Sequence, residues 1–376
     1  MSKKILFLSG TRADFGKIKS LIRVVDGLEG FSYEIFITGM HLLKKYGSTY
    51  KEIVDSGFVN LHKFINSHID EPMDLVLANT IGGLSRYVAE NRPDLIVVHG
   101  DRVEALAGAI VGSINNILVA HIEGGEKSGT IDDSLRHSIT KLSHIHLAAN
   151  VESKRRIMQL GENENQIFII GSPDIDIMES SKLPTIDKVK ERYEIDFESY
   201  NIVLFHPVTT EFEHFRDYAR NLVEAILESS ENFIVIYPNN DYGCIFIFES
   251  YERLKNKANI KIYPSIRFEY FLTLLKNAKS IIGNSSAGVR EAPIYGIPTI
   301  NIGSRQNNRF KKSDSIICVD YEKKQIKKAM EKIAKTTKKY SKISHFGSGN
   351  SAESFREILK NIDIWDIKPQ KTFCDL

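Results

Sequence analysis

Two consecutive doubly wound α/β halves are what this sequence predicts, on three observations. Short apolar runs alternate with longer amphipathic stretches, the pattern of a mostly parallel sheet with helices on both faces. The alternation breaks once, near Ser172-Pro173-Asp174 and the charge-rich stretch Lys182–Ser199, and then restarts. The length of 376 residues suits two units at ~100–200 residues per domain.

The first half opens with an apolar strand, Lys4–Ser9, that runs into Gly10 and a helical pattern over Gly16–Asp26. Further apolar runs follow at Tyr33–Thr38, Leu95–His99, Ile117–Ile122, His144–Ala148 and Ile167–Ile170, with helices expected at Met73–Glu90 and Val103–Ile114. The second half repeats the rhythm at Asn201–Phe205, Phe233–Tyr237, Ile260–Tyr263, Ser280–Ile282, Thr299–Ile302 and Ile316–Val319. No sequence repeat links the halves. The expected division is 1–175, 176–350 and a final helix with tail over 351–376, with a hinge near Ser172–Lys182. Ligands of such sheets bind outside the carboxyl ends of the strands. Polar residues that directly follow strands are therefore the candidates for chemistry.

Composition narrows the function classes. Fifty Lys and Arg stand against 48 Asp and Glu, a net charge of +2, which argues against a partner such as nucleic acid or an anionic membrane. Three cysteines without CxxC spacing give no disulfide framework and no cysteine zinc site. The apolar run after Met-Ser-Lys-Lys is too short for a signal peptide, and no stretch nears the ~18 residues of a membrane span. A cytoplasmic location is expected.

Three constellations follow strands of the first half. Gly10-Thr11-Arg12-Ala13-Asp14-Phe15-Gly16-Lys17 is neither GxGxxG nor a Walker loop; it reads as a capped turn or as an anion site at a helix start. His99-Gly100-Asp101-Arg102 sets an acid and a base side by side at a strand end, where Asp101 suits either an N-cap or chemistry. In His121-Ile122-Glu123-Gly124-Gly125-Glu126, continuing through Gly129 to Asp132, Asp133, Arg136 and His137, carboxylates crowd a glycine-rich loop. Crowded carboxylates raise one another's proton affinity, which suits acid–base work. A metal at His121, Glu123 and Glu126 is disfavoured because strand neighbours alternate faces. His144 and His146 read as structural.

The second half adds His206-Pro207-Val208-Thr209-Thr210 and Pro238-Asn239, each after a strand. Gly283-Asn284-Ser285-Ser286 then opens a turn whose hydroxyls and amides suit a phosphate. Glu291 is placed to accept two hydroxyl protons from a diol such as a ribose. Gly303-Ser304-Arg305 supplies a cation.

With these motifs assembled, the sequence resembles the hydrolysing UDP-N-acetylglucosamine 2-epimerases of sialic acid synthesis, bacterial enzymes and the epimerase half of the bifunctional animal enzyme. The likeness rests on Thr11–Asp14, His99–Arg102, His121–Glu126, Ser128–His137, His206–Thr210, Pro238-Asn239, Gly283–Ser286 and Gly303–Arg305, spread over roughly residues 5–310. It implies a GT-B-like fold: two Rossmann-type domains facing a deep cleft, and a C-terminal helix, suited to Glu353–Ile362, crossing back to the first domain. It implies acid–base roles for Asp101, Glu123 and Asp132, and a catalytic histidine at His206. The substrate site would comprise Arg12, Asp14, Lys17, Arg102, Glu126, Arg136, Asn239, Phe271, Ser285, Ser286, Glu291 and Arg305, with Phe271 near the uracil. Animal members carry serine where Gly16 stands, so a hydroxyl contact there would need a substitute.

The implied reaction converts UDP-N-acetylglucosamine and water to N-acetylmannosamine and UDP through 2-acetamidoglucal. It calls for no metal and no cofactor, and the resemblance implies a homodimer or homotetramer. A UDP- or GDP-linked 2,4-diacetamido-trideoxyhexose, as in the legionaminic acid branch, is an alternative substrate. The non-hydrolysing epimerases, which return UDP-ManNAc, share the scaffold. A GT-B glycosyltransferase or an inactive nucleotide-sugar sensor would have no use for three carboxylates around C2.

Overall fold

The computed structural model describes residues 2–180, 183–310, 313–336, 340–342, 346–347, 349–372 and 374. The chain forms two compact units, Met1–Glu126 with Asp132–Ser181 and His345–Leu376, and Lys127–Ile131 with Lys182–Ser344.

The first unit is built from β1 (Lys3–Ser9), α1 (Arg12–Asp26), β2 (Phe31–Ile37), α2 (Tyr50–Asp55), β3 (Leu61–Lys63), α3 (Met73–Asn91), β4 (Leu95–His99), α4 (Val103–Ile114), β5 (Leu118–Ile122), α5 (Ile131–Leu142), β6 (Ile145–Ala148), α6 (Val151–Gln159), β7 (Ile167–Ile169) and α7 (Pro173–Met178). Its sheet has the order β3-β2-β1-β4-β5-β6-β7, and the paired strands are parallel. That order reverses direction between β1 and β4, the place where doubly wound sheets bind ligands.

Side-chain alternation divides the apolar strands between two cores. Ile5 and Phe7 point to the face covered by α1, and Leu6 and Leu8 to the face covered by α3 and α4. Because both faces are covered, the strands read as continuous apolar runs. Helix α1 starts where Thr11 accepts from the Asp14 N–H while the Asp14 side chain returns to the Thr11 backbone, a capping box.

The second unit contains α8 (Ile186–Tyr193), β8 (Asn201–Leu204), α9 (Phe215–Leu227), β9 (Phe233–Ile236), α10 (Cys244–Tyr251), β10 (Ile260–Tyr263), α11 (Phe268–Lys276), β11 (Ser280–Gly283), α12 (Glu291–Tyr295), β12 (Thr299–Ile302), β13 (Ile316–Val319) and α13 (Lys323–Ala334). Its parallel sheet, β10-β9-β8-β11-β12-β13, repeats the same winding with the reversal between β8 and β11. Val203, Phe205, Val235, Ile282 and Ile300 form its core with α9 and α13.

Two features differ from the sequence reading. The break at Ser172-Pro173-Asp174 is α7, whose Pro173, Asp174, Ile175 and Met178 are buried within the first unit. That helix ends at Met178, and the division between the two units falls at Ser181/Lys182, the last two positions of the range expected for a hinge; both lie outside the described residues. The final helix, α14, spans Ser351–Lys360, two residues ahead of the expected Glu353–Ile362. Its Phe355, Ile358 and Leu359 join the α1 face of the first core, and Asp176 accepts from the Ser351 and Ala352 N–H groups that open it. Of the tail, Phe373, Asp375 and Leu376 lie outside the described residues.

Candidate active site

In the first unit the acidic residues gather at the reversal point and beside it. Gly100 follows β4 with φ +76° and turns the chain so that Asp101 leaves the sheet edge. The turn is held from below by His121, whose Nε2–H donates to the Gly100 carbonyl at 2.8 Å while Nδ1 accepts from the Thr140 hydroxyl at 3.0 Å. Burial pushes the His121 imidazole down to about 3, so it works here as a neutral bracket. Asp101 pairs with Arg136 of α5. That arginine is fully buried and also donates to the Glu123 carbonyl at 2.9 Å.

Glu123 follows β5 with φ +65°, a left-handed conformation that costs a residue with a side chain about 1–3 kcal/mol. The strained turn directs its buried carboxylate toward three partners. Oε1 accepts from the Ser172 hydroxyl and lies 3.5 Å from Lys17 Nζ; Oε2 lies 3.2 Å from His99 Nε2. Lys17 in turn lies 3.2 Å from Asp174.

The crowding expected among these carboxylates is thus met by cations: Arg136 serves Asp101, and Lys17 serves Glu123 and Asp174. Asp132 stands half-buried in the first turn of α5, and Glu126 is buried at the end of the same loop. Among the described residues, no cluster of three or more His, Cys, Asp or Glu is arranged to hold a metal.

The β1 loop resolves between its two readings residue by residue. Asp14 is a cap: Ser9 Oγ, Gly10 N–H and Thr11 N–H donate to its carboxylate, and burial raises its proton affinity against those bonds. Lys17, expected at an anion, is instead buried between two carboxylates, a correction that the βα-turn pattern could not reveal because one partner follows β5 and the other stands on α7, both distant in sequence. Arg12 is paired with Glu52 of α2. Arg102 precedes α4, its Nε 3.2 Å from Glu104.

The second unit assembles its candidates around β8 and β11. Asn284 clasps the His206 backbone: its Oδ1 accepts from the His206 N–H at 2.7 Å and its Nδ2 donates to the His206 carbonyl at 2.8 Å. His206 Nδ1 accepts from the Asn239 N–H at 3.0 Å. A ring nitrogen that accepts carries no proton, so in the neutral ring Nε2 is the N–H donor.

The preceding Gly283 (φ +134°) is obligatory, because a Cβ there would lie 1.9 Å from the Leu204 carbonyl oxygen. Ser285 caps the short turn that follows, its hydroxyl accepting from the Ala287 N–H at 3.3 Å, and Ser286 begins that turn. Glu291 is buried at the start of α12, and Phe271 is buried on α11. Asn239 donates to Asp241.

Arg305 and Gln306 both reach the Asn284 carbonyl, at 3.4 and 2.8 Å. The loop Lys127–Ile131 belongs to this unit, with the Gly129 N–H donating to the Arg305 carbonyl at 3.2 Å. A Cβ on Gly129 would lie 2.3 Å from the Ser304 carbonyl oxygen, which explains a glycine in the middle of the Ser128–Arg136 motif.

Sequence reasoning gave no role to Ser172, Asp174, Asn284 or Gln306. Ser172-Pro173-Asp174 was visible only as a break in rhythm. Asn284 lay inside a quoted motif, yet its clasp joins β8 to β11 across nearly eighty residues of chain.

Comparison with known proteins gives a family. Residues 24–360 match the profile described as UDP-N-acetylglucosamine 2-epimerase. The UDP-N-acetylglucosamine 2-epimerase of Neisseria meningitidis serogroup B is 49% identical over 378 aligned positions, 100% of this chain and 99% of that protein. A hydrolysing UDP-N,N'-diacetylbacillosamine 2-epimerase of Legionella pneumophila is 33% identical, with 97% of each chain covered. Among solved structures, the Neisseria meningitidis UDP-GlcNAc 2-epimerase bound to UDP-GlcNAc matches with a TM-score of 0.78 and 19% identity, covering 95% of this chain and 100% of that one; this is a likeness of fold.

Proposed function

The chain belongs to the UDP-N-acetylglucosamine 2-epimerase family, and within it we propose that this protein is a hydrolysing enzyme that converts UDP-N-acetylglucosamine and water to N-acetylmannosamine and UDP. One observation carries the reading: two carboxylates at neighbouring strand ends, Asp101 and Glu123, are each held by separate buried cations. Elimination and hydration need separate acid–base groups around C1 and C2, and independently held carboxylates can be in opposite protonation states.

Departure of UDP breaks the C1–O bond, and the diphosphate takes the electron pair. The positive character left at C1 acidifies the C2 proton, which a carboxylate removes to form the glycal. Water then adds at C1 while C2 receives a proton from the opposite face. These steps are proton transfers and C–O chemistry, which side chains of this kind can supply. Asp101 and Asp132 take the two faces of C2, and Glu123 takes the C1 side.

The leaving diphosphate is assigned to the second unit, with the His206 Nε2–H, the turn at Ser285-Ser286 and Arg305 as donors. Glu291 is assigned to the ribose and Phe271 to the uracil surroundings, and Arg12 and Arg102 stay candidates for binding substrate. The free N-acetylmannosamine would enter sialic acid synthesis, in the cytoplasm.

A second reading keeps the mechanism and changes the sugar. The Legionella relative supports a UDP-linked 2,4-diacetamido-trideoxyhexose. One experiment separates the possibilities: incubation with each UDP-sugar in deuterated water, followed by NMR. Free N-acetylmannosamine with one deuteron at C2 is expected from UDP-GlcNAc. Recovery of UDP-ManNAc would make the enzyme non-hydrolysing, and product without deuterium would sink proton abstraction altogether.

A further inference from the structure

Asp174 lies beneath Glu123 and has no part in the reaction as written. It stands in the first turn of α7, 1% exposed, with Oδ2 3.2 Å from Lys17 Nζ. The same Nζ is 3.5 Å from Glu123 Oε1. One buried cation therefore serves two buried carboxylates and sits nearer the one without assigned chemistry. A buried carboxylate is costly unless paired, so a second one drawing on the same lysine calls for an explanation.

The other groups that face Glu123 sharpen the point. From β4, His99 Nε2 lies 3.2 Å from Oε2. From the residue preceding α7, the Ser172 hydroxyl donates to Oε1. From α5, Arg136 donates to the Glu123 carbonyl and pairs with Asp101. The Ser172 donor and the Lys17 cation favour the charged form of the carboxylate and leave it a weaker base. Among these described groups, Asp174 works in the opposite direction.

Building on the assignment of Glu123 to the C1 side, we propose that Asp174 is a positioning residue that draws Lys17 away from Glu123, so that Glu123 stays basic enough to deprotonate the water that adds to the glycal. In that step the water oxygen forms the bond to C1, and the C1=C2 electron pair takes a proton at C2 from the acid carboxyl. The proton that water loses goes to Glu123.

The test is the pH profile and product partition of Asp174→Asn, which is nearly isosteric. Without the competing charge, Lys17 acts more strongly on Glu123. The acid limb of turnover then moves about one pH unit lower, equivalent to a tenfold change in Glu123 proton affinity. UDP release continues within about threefold while N-acetylmannosamine falls about tenfold and free 2-acetamidoglucal appears, because a weaker base slows hydration. Lys17→Arg approaches the same balance from the other side, since a forked guanidinium can serve both carboxylates. It is expected to shift the limb in the same direction.

A folded variant of either kind with the unmodified limb and no glycal overturns the proposal. So does a parallel fall of UDP and N-acetylmannosamine with the limb unmoved, the signature of a merely structural residue. If the unmodified enzyme releases no UDP from UDP-GlcNAc, the assigned reaction fails instead, and the two failures are distinct.

Discussion

Two buried clusters in the first unit use the same three residue types to opposite ends. Lys17, Glu123 and His99 lie at the strand ends beside the reversal point; Lys371, Glu162 and His146 lie where the C-terminal tail docks. Glu162 is saturated: Lys141 at 2.9 Å, Lys371 at 2.6 Å and His146 at 3.1 Å all meet its two oxygens. Burial would raise its proton affinity, but hydrogen bonds from His146, Lys371 and Lys141 outweigh it and hold the carboxyl at about 2. Lys371 further donates to the Lys141 and Ser143 carbonyls at the end of α5, and His144 donates to the Pro369 carbonyl at 2.8 Å. That cluster is a clasp. Around Glu123 the lysine is divided with Asp174, and the lysine and histidine contacts at 3.2–3.5 Å are looser. Residue type does not separate this clasp from the proton-transfer site proposed at Glu123; the share of cation per carboxylate is the difference between them.

The largest expected effect tests that distinction directly. Glu123→Gln should lower turnover by ~10²-fold or more, the scale of a lost acid–base group. Its folding loss should be modest, because Lys17 keeps Asp174 as a partner. Glu162→Gln should do the reverse: about 3 kcal/mol of stability lost, as for a broken buried pair, with turnover per folded molecule retained. Urea denaturation beside a UDP-release assay checks both. Loss of turnover in a fully stable Glu162→Gln would make the clasp part of the chemistry and dissolve the comparison.

Next in size is Lys371→Met. It removes one cation from Glu162 and a donor from two carbonyls that end α5, so a loss of about 2 kcal/mol is expected. Because α5 carries Asp132 in its first turn and Arg136 midway, amide exchange should quicken first around residues 140–144. Unchanged exchange there would show that the tail merely rests on the unit.

The pH dependence follows from the direction of the Glu162 shift. Its carboxyl falls from 4.5 in the free chain to about 2 when folded. The unfolded chain therefore binds more protons between those values, and stability declines as pH falls through that window. Above pH 4.5 the contribution is fully present. Glu162→Gln should flatten the denaturation midpoint between pH 4.5 and 2 relative to the unmodified protein; an equal slope in both would assign the acid sensitivity elsewhere.

How much of this was legible in sequence follows the range of the interactions. Strands such as Leu95–His99, Ile260–Tyr263 and Thr299–Ile302 were readable because apolar runs flanked by polar turns are a local signal. β3 has only three residues, half-exposed or exposed at the sheet edge, too few to show a pattern. Both reversal points and the strand end beside the first were marked by the polar residues after β1, β4, β5, β8 and β11, so Asp101, Glu123, His206 and Ser285 could be singled out. What could not be read was pairing. Lys17 meets Asp174 across more than 150 positions, and Lys371 meets Glu162 across more than 200; no local pattern encodes contacts at such separation. Arg136 was expected to touch substrate, yet its burial between Asp101 and the Glu123 carbonyl makes it a brace for both.

The smallest expected effect separates the two lysines on Glu162. Lys141 is about half-exposed, 45% for its side chain, whereas Lys371 is 21% exposed and bonds to two carbonyls as well. An exposed ion pair gains little, because water screens it and the long side chain loses freedom. Lys141→Met should therefore cost no more than about 0.5 kcal/mol, well below Lys371→Met, even though both remove one cation from the same carboxylate. The double variant should cost more than the sum of the singles, since either lysine alone still compensates part of the buried charge. Strict additivity in urea denaturation would mean that the two cations act independently, and that donor saturation is not what makes this cluster a clasp.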